Sequence, residues 1–72
     1  MSVATHAPVI GITSCKRPST FGSWNIDAVI LPATYTNAVK EAGGEPLLLP
    51  PGCSASILGK IDGLVVAGGP DL

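Results

Sequence analysis

Three short apolar runs, at residues 8–15, 46–50 and 61–67, are spaced so that a helical-period segment joins the first two and a proline-glycine turn follows the second. This alternation restricts the chain more than any other feature, because strands alternating with helices give a parallel sheet with right-handed crossovers. The first run, Pro8-Val9-Ile10-Gly11-Ile12-Thr13-Ser14-Cys15, is rich in β-branched residues and reads as a strand covered on both faces. Leu31-Pro32 opens a helix, since proline is preorganised for the first turn, where a missing N–H costs nothing. Tyr35, Ala38, Val39 and Ala42 then share its inner face, Asn37, Lys40 and Glu41 point outward, and Gly43-Gly44 ends it. Pro46-Leu47-Leu48-Leu49-Pro50 is too short for a helix and is a second strand. After the Pro50-Pro51-Gly52 turn, Ser54 caps a brief helix through Ile57 and Leu58 that stops at Gly59, and a third strand begins at Ile61. The expected order is βαβαβ, an α/β architecture with part of a flavodoxin-like parallel sheet.

Between the first strand and the helix, the segment 16–30 holds Pro18, Gly22, Ser23, Trp24 and Asn25 without a clean period, and is expected to be a long, partly mobile loop. Such loops are often functional, so this one is a candidate wall or lid, with Trp24 either touching a ligand or pinning the loop to the body. A 72-residue chain buries only about 60% of the surface its unfolded form exposes, which leaves independent folding marginal. With 46% hydrophobic and 12% charged residues and a mean hydropathy of +0.47, the composition is that of a core-rich piece of a larger domain. No boundary, repeat or low-complexity tract divides it.

The formal net charge is −1, and Lys16, Arg17, Lys40 and Lys60 are scattered, so no basic stripe is offered to phosphates and nucleic acid is not an expected partner. No apolar run approaches the roughly 20 residues that span a bilayer, so no membrane role is expected. Residues 1–7 lack the basic start and sustained apolar stretch of a secretory signal; they read as a flexible tail, and the expected location is the cytoplasm. Cys15 and Cys53 are too few for a disulfide framework, no spacing suggests a metal, and no cofactor is expected.

In a flavodoxin-like order the second strand lies on one side of the first and the third on the other, which puts the switch point between strands one and three. Thr13-Ser14-Cys15 and Gly68-Gly69 then end side by side, bringing two hydroxyls, a thiol and backbone amides around one small volume. That crevice is the candidate site.

Pro-Val-Ile-Gly-Ile-Thr at the first strand, the run from Leu31 through Tyr35 and Ala42-Gly43-Gly44 to Pro51, and Ile-Asp-Gly-Leu-Val-Val-Ala-Gly-Gly before Asp71 together resemble the class I glutamine amidotransferase-like hydrolases. Within that group the pattern is most similar to the γ-glutamyl-γ-aminobutyrate hydrolase family, and it covers the chain from Pro8 onward as that family's amino-terminal part. The resemblance implies an amino-terminal portion, residues 1–72, of a single domain whose Cys-His-Glu triad cleaves a γ-glutamyl amide through a thioester. Such chemistry needs a thiolate, a base and amide donors for the oxyanion. The resemblance assigns only the last to this chain, at Gly68 and Gly69, with Gly69 preferred. Glycine suits the task because a Cβ would block close approach of the acyl group. Read from the residues alone, the same pair is equally a tight turn leaving a strand.

Cys15 borders the crevice beside Lys16 and Arg17, which would favour its thiolate, but no base accompanies it. His6, the only histidine, lies in the tail, and no Gly-x-Cys-x-Gly elbow is present, so Cys15 reads as a wall residue and Cys53 as an inert loop thiol. Asp71 is the carboxylate nearest the mouth and would touch a substrate amine or cap a turn. Ser14 and Thr13 would bond a ligand or satisfy nearby backbone groups. Two other readings stand beside the hydrolase: an amidotransferase passing ammonia to a synthase partner, and a catalytically inert truncated binding or assembly fragment. The expected partner is a small-molecule γ-glutamyl amide, with homo-oligomer formation or association through the exposed edge of the third strand.

Overall fold

Ile12 has no exposed surface and stands at the centre of a three-stranded parallel sheet, with strands hydrogen-bonded to both edges of its own. The computed structural model describes residues 7–67. Its elements run β1 (Val9–Thr13), β2 (Cys15–Phe21), β3 (Trp24–Ile30), α1 (Ala33–Glu41), β4 (Glu45–Leu49), a 3₁₀ helix (Ala55–Lys60) and β5 (Gly63–Val65). The main sheet has the order β4-β1-β5, with Val9 opposite Glu45 and Thr13 opposite Leu49 on one side, and Ile10 opposite Gly63 and Ile12 opposite Val65 on the other. Strand alternation places Ile10, Leu48 and Val65 on one face and Gly11, Thr13, Leu49 and Leu64 on the other. α1 packs on the first face, where Val39 and Ile10 both approach Gly44. The 3₁₀ helix borders the second, where Ile57 lines a cleft with Thr13, Leu49 and Leu64. Connections on opposite faces are what two right-handed crossovers in opposite directions require. This mixed α/β arrangement is compatible with part of a flavodoxin-like sheet.

The segment 16–30 differs from the expected loop. It forms an antiparallel hairpin in which Cys15 pairs with Ile30 and Phe21 with Trp24. The reason lies in the turn: two residues, Gly22 and Ser23, join the strands, and only Gly22 has positive φ, at 59°, the pattern of a type II′ turn whose twist suits a hairpin. Directly opposed residues share a face, so Phe21, Trp24, Ile26, Ala28 and Ile30 lie together, while Lys16, Thr20, Asn25 and Asp27 lie on the reverse. Pro18 is accommodated because β2 is an edge strand. Trp24 stands at the hairpin tip and is 67% exposed, so among the described residues it does not pin the segment to the body.

Three smaller differences follow from local chemistry. The segment after Ser54 is a 3₁₀ helix that contains Gly59 rather than an α-helix stopped by it, with the Ser54 hydroxyl accepting from Ser56 N–H at 3.2 Å. β5 starts at Gly63, not Ile61, and just ahead of it the exposed Asp62 is bonded to β1: Val9 N–H donates to Asp62 Oδ2 at 2.8 Å, and Asp62 N–H donates to the Val9 carbonyl at 2.7 Å. On α1, Tyr35, Thr36 and Val39 are half-buried while Ala38 and Ala42 stay exposed beside an open cleft. The element order is therefore richer than βαβαβ. The expected burial of the strands on both faces is also incomplete: Ile12 and Leu49 are the buried hydrophobic side chains, and Leu47, Leu48 and Leu64 remain substantially exposed among the described residues.

Gly11 lets two side chains cross the β1 backbone. A Cβ there would lie 2.8 Å from Leu49 Cδ1 and 2.9 Å from Ile61 Cδ1, closer than carbon atoms pack. Gly11→Ala is expected to destabilise the fold by about 1–3 kcal/mol through overpacking, read as a lower midpoint in chemical denaturation with an unchanged m-value.

Candidate functional site

The carboxyl ends of β4, β1 and β5 form the end of the sheet where open α/β folds place ligands. Two hydroxyls fasten this end. Ser14 Oγ donates to the Leu49 carbonyl at 2.8 Å, alongside the Ser14 N–H, which reaches the same oxygen at 3.1 Å. Thr13 Oγ1 accepts from Ala67 N–H at 2.9 Å and thereby holds the chain leaving β5 against the end of β1. The first strand is thus tied to β4 through one hydroxyl and to the exit of β5 through the next.

Beside these bonds lies an open cleft of about 300 Å³, lined by Thr13, Ser14 and Leu49, by the Pro50-to-Ala55 loop, and by Ile57, Leu58 and Leu64. Its walls are mostly apolar. The loop brings the exposed Cys53 thiol to the cleft wall, where the sequence alone shows only a loop thiol. The available signal was the Pro-Pro-Gly turn directly after a strand, which aims the following residues back across the sheet end.

Cys15, at the start of β2, is half-buried and carries no disulfide, and Lys16 and Arg17 after it are exposed. Residues 7–67 contain no histidine, and among them no group of His, Cys, Asp and Glu is arranged to hold a metal. No helix among the described residues is long and apolar enough to cross a membrane. Gly68, Gly69 and Asp71, three of the residues singled out from the sequence, lie outside the described residues, as does His6. The structure brings Thr13, Ser14 and Ala67, the residue before the glycine pair, to one end of the sheet.

Comparison with known proteins gives two matches. The family model described as Peptidase C26 matches residues 8–72. The chain is also 38% identical over 73 residues to a Mycobacterium tuberculosis (strain ATCC 25618 / H37Rv) protein named "Putative glutamine amidotransferase Rv2859c", an alignment covering 90% of this chain and 23% of that protein. The chain thus spans under a quarter of the length of this relative. No solved structure matches it.

Ser14 makes its hydroxyl bond to a partly buried carbonyl that also serves the Ser14 amide. Ser14→Ala is expected to cost about 0.5–1.5 kcal/mol, the net worth of one such bond, measured as a reduced free energy of unfolding.

Proposed function

The chain belongs to the Peptidase C26 family, which is class I glutamine amidotransferase-like, and from that premise we propose that it is the amino-terminal part of a hydrolase acting on small-molecule γ-glutamyl amides. In this reading the triad of cysteine, histidine and glutamate lies downstream, and residues 1–72 contribute the oxyanion-binding amides of Gly69 and Gly68. The observation that carries it is the sheet order: β5 lies next to β1, so the glycine pair follows a strand that ends at the switch point. Thiolate attack on the amide carbonyl places negative charge on its oxygen, and preorganised N–H groups are the means by which such charge is stabilised without reorganisation. Collapse then expels the amine and leaves a γ-glutamyl thioester, which water hydrolyses to glutamate. Side chains and backbone amides suffice for these steps. Ser14, Cys15 and Asp71 would flank the substrate, Ser14 through the lone pairs its donated bond leaves free, and Cys15 as a wall.

The name of the mycobacterial relative favours a second reading, in which the same half-site releases ammonia for a synthase partner. A cytoplasmic location belongs to both. So does association through a sheet edge: β5 pairs on one side only among the described residues, and Leu64 and Val66 there are 47% and 74% exposed.

Replacing Gly69 by proline deletes the amide hydrogen assigned to the oxyanion. In the polypeptide that carries this segment with its downstream cysteine, Gly69→Pro is expected to lower kcat for glutamate release about 10²- to 10³-fold, and an unchanged kcat refutes the assignment. Residues 1–72 alone are expected to release no glutamate from γ-glutamyl amides. Turnover by that chain which disappeared in Cys15→Ser would make Cys15 the nucleophile instead.

A further inference from the structure

The ladder between β1 and β5 ends at the pair Ile12 and Val65, yet the chain is still held to β1 two residues later. The acceptor there is a side chain: Ala67 N–H donates to Thr13 Oγ1 at 2.9 Å, in a partly buried bond linking residues 54 apart in sequence. Thr13 is itself well fixed. Its backbone is in register with Leu49 of β4, the next residue bonds the Leu49 carbonyl twice, and a β-branched side chain has few χ1 choices. The hydroxyl therefore passes the rigidity of the β4–β1 pair to the strand exit.

We propose that Thr13 is a positioning residue for the oxyanion-binding segment, acting by fixing the Val66–Ala67 peptide plane, immediately upstream of Gly68 and Gly69. The proposal rests on the oxyanion reading above. Paired glycines have the widest choice of backbone angles of any dipeptide, which permits close approach to an acyl group but does not by itself aim an N–H. Preorganisation is what makes such a donor effective, so an anchor immediately upstream supplies what the glycines lack. A main-chain carbonyl cannot serve at this point, because the strand pairing has ended; a threonine at the last position of β1 supplies an acceptor one bond further out.

The test compares Thr13→Val, which keeps the shape and removes the hydroxyl, with Thr13→Ser, which keeps the hydroxyl, in the full polypeptide bearing the downstream cysteine. Thr13→Val is expected to lower kcat about 10- to 100-fold with KM within about twofold of the parent, the scale of a small misplacement of catalytic groups, and Thr13→Ser to restore most of it. Amide hydrogen exchange at Ala67 is expected to quicken in Thr13→Val and not in Thr13→Ser. Equal losses in both variants, or an Ala67 exchange rate indifferent to the hydroxyl, would mean that Thr13 only packs, and would overturn the proposal. Should Thr13→Val fail to fold, Thr13→Ala against Thr13→Ser gives the same comparison. A damaged Gly69→Pro with an intact Thr13→Val defeats this inference alone, whereas an intact Gly69→Pro defeats the oxyanion reading on which it stands.

Discussion

Parallel pairing of β1 with β4 on one edge and β5 on the other is the constraint from which the remaining placements follow. Both edges of β1 are satisfied, its Ile12 is buried completely, and the two crossovers lie on opposite faces. The pairing is fastened at each end by a side chain. At the amino end Asp62 exchanges two hydrogen bonds with Val9, and at the carboxyl end Thr13 and Ser14 hold Ala67 and Leu49. These polar clamps lie where the ladder runs out and unpaired backbone groups would otherwise face the edge of the sheet.

The same clamps connect stability to chemistry. Gly11 gives Leu49 and Ile61 room to cross β1, which lets the core close over a narrow strand. Ser14 and Thr13 then carry that rigidity to the end of the sheet, where the cleft opens and where the chain proceeds to its glycine pair. Membership of the Peptidase C26 family gives this end of the sheet its chemical context. Hydroxyls that by themselves look like routine strand-end bonding become, under the oxyanion reading, the mount on which a donor is aimed.

The hairpin of β2 and β3 is a separate layer of organisation. One of its faces gathers Phe21, Trp24, Ile26 and Ile30, all substantially exposed, among Arg17 and Ser19, and the other carries Lys16, Thr20, Asn25 and Asp27 together with Val29. A two-stranded ribbon is marginal in water by itself, and here it is joined directly to β1 through Ser14 and to α1 through Leu31-Pro32. Short connections at both ends confine its base, and Trp24 at its tip is exposed.

The sequence by itself determined the three apolar strands and the helix opened at Pro32 and closed at Gly43-Gly44, because apolar runs, proline and glycine impose these choices within a few residues of themselves; the side of β1 on which each neighbour falls followed from the flavodoxin-like order expected of such an alternation. It missed the hairpin, where the alternation from Cys15 to Ile30 was masked by Pro18 and by polar residues on an exposed ribbon, and where Gly22-Ser23 was the legible sign of a two-residue turn. The tertiary structure alone decided that Asp62 would bond Val9, that the segment from Pro50 to Ala55 would wall a cleft, and that Thr13 would reach Ala67. Each of those joins residues far apart in the chain, and a contact of that kind is written in no local pattern; it exists only once the sheet has brought its strand ends together.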